Sequence, residues 1–287
     1  MSFKETLAKF RKDHPYQTIE IGNVTFRYVR SGDSDSNHPP LVFLNGGMNV
    51  SEMWMDYLTD LSRDYRVLLF DYPMGLNTNQ DLVRGMHQFF SALQIKDPVL
   101  IGASDGGMVA QIYTQKYPDE VGGLVLIATG GMDASTIKSL KRKYFFAPIA
   151  LWYIKHCNYE KLKPTLIKSG MQHTKNESAE NKAYAKEMFE TVFADYPQEK
   201  DVHITGLLAD LMKQTPVTGD TFLRLKGKIL LILPSADFFT PKMQSDLIAL
   251  MHEPKIRNIN GGHIATVLQV DEYIKELRLF LSDLFVS

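Results

Sequence analysis

The sequence holds one cysteine, Cys157, among 287 residues, so no internal disulfide can form, which fits a reducing compartment. It also lacks net charge: 32 basic and 33 acidic side chains leave a formal -1, and nothing global draws it to nucleic acid or to an anionic membrane. No run of eighteen apolar residues occurs, which argues against a membrane-inserted helix. The opening MSFKETLAKFRKDH is amphipathic with scattered charges, unlike the apolar stretch of a secretory signal. These absences point to a soluble cytoplasmic protein whose partner is a small molecule. What is plentiful is apolar: 44% hydrophobic and 11% aromatic residues can bury a substantial core.

The segment YQTIEIGNVTFRYVRSGD alternates in polarity and carries Gly22-Asn23 between two β-rich runs, which predicts a hairpin. SGDSDSNHPP, at 31–40, reads as a polar loop. Beyond it, the short apolar runs PLVFLN, YRVLLFD, PVLIGAS and GLVLIAT are separated by stretches of helical period. Wholly apolar strands alternating with helices predict a parallel sheet covered on both faces. From about 134 to 220 the period is helical without a convincing strand, and the α/β rhythm returns with GKILLILPSAD, PKIRNIN and an amphipathic tail. The chain therefore divides into a first α/β part at 1–133, a helical insertion at 134–220 and a second α/β part at 221–287. An insertion between two strands of one sheet is expected to sit as a lid over the strands' carboxyl ends.

Reactive groups in an open parallel sheet collect at those ends. Four of them carry suggestive residues. IGASDGGMVA, at 101–110, sets two nucleophiles side by side, Ser104 and Asp105, in a turn of small residues. A serine implies acyl transfer and an aspartate implies displacement at carbon. PLVFLNGGMNVSEMW offers Asn45, Gly46 and Gly47 after a strand, where backbone N–H groups could receive negative charge developing on a carbonyl oxygen. ILLILPSADFFTP supplies Asp237, and IRNINGGHIA supplies His263 behind a glycine pair. A serine hydroxyl becomes a competent nucleophile when an imidazole takes its proton and an acid orients that imidazole. The joint appearance of Ser104, Asp237 and His263 at successive strand ends is a far stronger signal than any one of them.

Together these segments resemble the α/β-hydrolase family over nearly the whole chain. NGGMNVSEMW looks like its oxyanion segment with a trailing tryptophan, Trp54; GASDGG like its nucleophile elbow; SADFFTP and GGH like its acid and base segments. The resemblance implies a mostly parallel sheet flanked by helices, the chain order nucleophile, acid, base, and a helical cap at 134–220. It also settles the register, because Ser104-Asp105-Gly106-Gly107 fits the family's spacing of nucleophile, any residue and two glycines, and the frame on Asp105 does not. Two departures stand out: Asn45 where many relatives have histidine, and Asp105 directly after the nucleophile.

The expected activity is a serine hydrolase of the carboxylesterase kind acting on small or medium acyl esters, with Ser104 as nucleophile, His263 as base, Asp237 as acid and the N–H groups of Gly47 and Asp105 as oxyanion donors. Asp133, after GLVLIATGG, is the alternative acid. The Asp105 carboxylate, at a helix N-terminus that favours negative charge, is expected to disfavour anionic acyl groups or to capture a substrate amine. Neither cofactor nor metal is expected, since the remaining seven histidines show no ligand spacing. Amide, lactone, acyl-transfer and perhydrolysis chemistry use the same triad, and a non-catalytic ligand-binding protein is the alternative from another class. Within the insertion, residues 134–176 hold nine Lys or Arg against one acid, and 177–201 hold seven acids against three lysines. That reads either as a basic mouth that attracts anionic substrates or lipid surfaces, or as solvated helix faces that neutralise one another. YFFAPIALWYI reads either as pocket lining or as the buried underside of the lid.

Overall fold

A computed structural model of the chain describes residues 2–32 and 38–286, so the middle of the polar loop expected at 31–40 lies outside the described residues. Eight strands form one sheet: β1 (Gln17–Ile21), β2 (Val24–Ser31), β3 (Leu41–Leu44), β4 (Val67–Phe70), β5 (Val99–Ala103), β6 (Gly123–Ile127), β7 (Ile229–Ala236) and β8 (Lys255–Gly262). Their order is β1-β2-β4-β3-β5-β6-β7-β8. The first two pairings, β1 with β2 and β2 with β4, are antiparallel; the rest are parallel. The expected hairpin is present, with Ile21 opposite Val24 and Gly22 at φ +60°, a backbone angle that glycine adopts without strain.

The uniformly apolar central strands are buried on both sides, as parallel strands between helical layers must be. Along β3, Val42 and Leu44 join one core cluster while Leu41 and Phe43 join the other. The first cluster packs beneath helices Asn79–Ala92 and Asp105–Lys116; the second packs beneath Met55–Leu61 and Val270–Val286. The amphipathic start is helix Phe3–Asp13, closed by a Ser2–Glu5 capping box, and it buries Phe3, Leu7 and Phe10 in the second cluster.

Between β6 and β7 the described chain is helical, in the α-helices Ala134–Lys143, Ala147–His156, Tyr159–Met171, Ala179–Ala194 and Gln198–Leu211, with short 3-10 turns between and after them. The stretch YFFAPIALWYI divides: Tyr144, Phe146, Ala147 and Ala150 line the cavity described below, as one reading expected, and the rest of its large apolar side chains are mostly uncovered. Helix Ala147–His156 buries none of its residues, and Phe145, Ile149, Trp152 and Tyr153 face solvent instead of a pocket or a core. No ion pair joins the basic half to the acidic half: among the described residues the only ion pair of the basic half joins Lys163 to its own Glu160.

Candidate active site

The turn from β5 into helix Asp105–Lys116 is built around Ser104, at φ +53° and ψ -123°. A residue with a β-carbon is strained there, at a cost on the order of 1–3 kcal/mol, so the surroundings must hold it. They do: the Ser104 N–H donates to the Ile127 carbonyl at 3.0 Å, and Thr129 Oγ1 donates to the Ser104 carbonyl at 2.6 Å. The tight turn leaves no room for a side chain beside it, since a β-carbon on Gly102 would collide with the Gly106 carbonyl and one on Gly106 with the Leu44 carbonyl. The strand-to-helix geometry thereby projects the Ser104 hydroxyl into a cavity of about 670 Å³.

The structure brings the three predicted side chains together. His263 Nε2 lies 3.0 Å from Ser104 Oγ, and His263 Nδ1 lies 2.9 Å from Asp237 Oδ1. Asp237 follows β7 and His263 follows β8, neighbours in the sheet, so a sequence gap of 26 residues closes to one hydrogen bond. The Asp237 side chain is 1% exposed, and its Oδ1 also accepts the Phe239 N–H at 3.3 Å. The alternative acid is occupied elsewhere. Asp133 Oδ1 accepts from the Ser135 and Thr136 N–H groups at 2.8 and 3.0 Å, which makes it the N-cap of helix Ala134–Lys143.

Gly46 and Gly47 line the cavity opposite Ser104. Among the described residues no protein group accepts from the Gly47 or Asp105 N–H, so both are free to receive an oxyanion. Asn45, the departure from the histidine found in many relatives, is 1% exposed and tied into a closed network. Its Nδ2 donates to the Phe70 carbonyl at 2.7 Å and to Asn49 Oδ1 at 3.1 Å. Asn49 in turn donates to the Tyr72 carbonyl and accepts the Tyr72 N–H, and the Tyr72 hydroxyl donates back to the Asn45 carbonyl at 3.0 Å. Asn49 itself sits at φ +48°. The glycine loop is therefore pinned to the end of β4 by amides instead of an imidazole.

Asp105 departs from the expectation based on the helix dipole. Burial raises its carboxyl from 3.8 to about 6, and the nearby His263 offsets this only in part. At a partly buried helix N-terminus, desolvation outweighs the dipole. The carboxylate lines the cavity and has no hydrogen-bond or ion-pair partner among the described residues. Two further neighbours of His263 escaped sequence reasoning. Phe238 packs on its ring at 4.3 Å, and His173 approaches to 5.4 Å, its own imidazole held below the usual range first by burial and then by His263. Neither stands in a motif; only the segment SADFFTP hinted at an aromatic beside the acid.

Residues 39–155 match a family model described as alpha/beta hydrolase fold. Most of the chain superposes on solved structures: for the enol-lactonase of Burkholderia xenovorans LB400 the TM-score is 0.71 at 17% identity, covering 93% of this chain and 100% of the other. The chain has the α/β-hydrolase fold. Among curated relatives, the human protein named monoacylglycerol lipase ABHD6 is 31% identical over 109 residues, and a proline iminopeptidase, PfmaB, of Pestalotiopsis fici is 28% identical over 145. Those matches take in 34% and 45% of this chain and span only 32% and 50% of the relatives' own length.

Proposed function

We propose that this α/β hydrolase is a serine hydrolase that cleaves esters of small or medium acyl groups through an acyl-enzyme. The observation that carries the reading is the continuous relay from Asp237 through His263 to Ser104, at 2.9 and 3.0 Å, with the strained serine opening onto a cavity. Ser104 Oγ attacks the carbonyl carbon as His263 Nε2 takes its proton, and the carbonyl oxygen gains negative charge against the N–H groups of Gly47 and Asp105. Asp237 holds the Nδ1–H tautomer and stabilises the imidazolium. His263 then returns the proton to the leaving alcohol; in the second half it takes a proton from water, whose oxygen bonds to the acyl carbon, and returns that proton to Ser104 Oγ as the acid departs.

Residues 134–220 act in this reading as the cap. Leu140, Met188, Phe189, Phe193 and Leu208 from that stretch line the cavity, an apolar surface suited to an acyl chain. The names of the relatives, a lipase, a lactonase and a peptidase, share attack by a nucleophile on a carbonyl, and the apolar lining favours the acyl ester among them. Turnover of p-nitrophenyl esters graded from two to twelve carbons tests it. The reading expects saturable hydrolysis that His263→Ala abolishes; a wild-type protein with no turnover across the series contradicts it.

A further inference from the structure

Among the described residues nine large apolar side chains stand exposed, and six of them fall between 144 and 153. Phe145 is 73% exposed and Trp152 63%. Ile149, Trp152, Tyr153 and His156 follow the spacing of one helix face, and Tyr144–Phe146 continue that surface from its N-terminal end. A patch this concentrated is not the scatter of single apolar residues found on any soluble surface. Its flanks are cationic: Lys138, Lys141, Arg142, Lys143, Lys155 and Lys161 make no ion pair among the described residues. Glu160, the one acid from 134 to 176, is already held by Lys163.

We propose that this face, Tyr144–Phe146 with helix Ala147–His156, docks onto an anionic lipid surface. Tryptophan and tyrosine between an apolar face and a basic rim match the boundary of a bilayer, where rings enter the acyl region and lysines meet headgroup phosphates. A helix of ten residues is about 15 Å long, half the hydrocarbon thickness, so it lies along the interface and not across it. Tyr144, Phe146 and Ala147 also line the cavity that holds Ser104, so docking sets the cavity mouth against the lipid. The near-zero net charge of the chain conceals this local asymmetry.

The chain has two tryptophans, Trp54, which is 4% exposed, and Trp152, so intrinsic fluorescence reports on the patch. The full chain is mixed with vesicles of phosphatidylcholine alone or with added phosphatidylglycerol, and binding is read by co-sedimentation and by emission. The expected result is binding to the anionic vesicles, weakened by salt, with a blue shift that Trp152→Phe removes. Phe145→Ser with Ile149→Ser, or Lys141→Glu with Arg142→Glu and Lys155→Glu, should each cut vesicle affinity at least about tenfold. Circular dichroism and the buried Trp54 emission verify that these variants fold. Failure of the wild type to sediment with anionic vesicles overturns the proposal, as does binding indifferent to these variants. Concentration-dependent dimers that bury Trp152 without lipid overturn it too, since a second copy of the chain would then be the occupant.

Discussion

The Asp105 carboxylate stands against the glycine loop, so close to Gly47 that a β-carbon there would come within 2.9 Å of Asp105 Oδ2. A negative charge thus faces the Gly47 donor proposed for the oxyanion, with no ion pair holding it among the described residues. At pH 8, where this carboxyl is ionised, the wild type should prefer acyl groups that carry an ammonium over neutral isosteres. Asp105→Asn should cut that preference in kcat/KM by roughly tenfold or more, equivalent to about 1.4 kcal/mol, and should not depress turnover of the neutral ester. An unchanged preference rules out this role for the carboxylate.

The same carboxyl makes stability depend on pH. Folding raises its pKa from 3.8 to about 6, so the folded state binds the extra proton between those values. Below pH 4 it is protonated in both states and costs nothing; above pH 6 a desolvated charge is fully present in the folded protein alone. Asp105→Asn should therefore stabilise the fold at pH 7.5, by up to about 3 kcal/mol, and the gain should fade as pH drops through 6 toward 4. Urea unfolding of both proteins at the two pH values measures it.

Asn45 ties the glycine loop to β4, so its truncation should act on catalysis through position. Asn45→Ala leaves the buried Phe70 carbonyl without its 2.7 Å donor, a loss of about 1–3 kcal/mol in stability. With the loop loosened, kcat should fall by roughly 10- to 100-fold, in the range of a weakened oxyanion donor, while KM for a short ester moves little. Tyr72→Phe, which removes only the bond to the Asn45 carbonyl, should give the same pattern more weakly.

Much of this site could be read from the chain because its parts are local. A strand, a turn of small residues and a helix form one contiguous signature at 101–110, and Asp237 and His263 each follow a recognisable apolar run. The Asn45–Asn49–Tyr72 network could not be read, since its bonds to Phe70 and Tyr72 join residues more than twenty positions apart through amides that look like ordinary loop residues. His173 was opaque for the same reason: its nearness to His263 depends on how a distant helix lies over the sheet. The exposure of Trp152 ran against pattern reading, because an apolar helix is expected to be covered.

The two candidate acids make separable predictions. Asp237→Asn should lower kcat by roughly 10⁴-fold with little change in KM, because the amide no longer fixes the productive tautomer of His263. Asp133→Ala should leave kcat near the wild-type value and lower stability by about 1 kcal/mol through the lost helix cap. Steady-state kinetics and denaturant melts on both variants measure this, and the reverse pattern would transfer the role to Asp133.

The central claim is that Ser104, and not its neighbour Asp105, is the attacking group. Fluorophosphonate labelling followed by peptide mapping tests it most directly. One phosphonyl adduct on Ser104, absent from Ser104→Ala and sharply reduced in His263→Ala, is the predicted result; an adduct on another residue, or none on a folded wild-type protein, would contradict it.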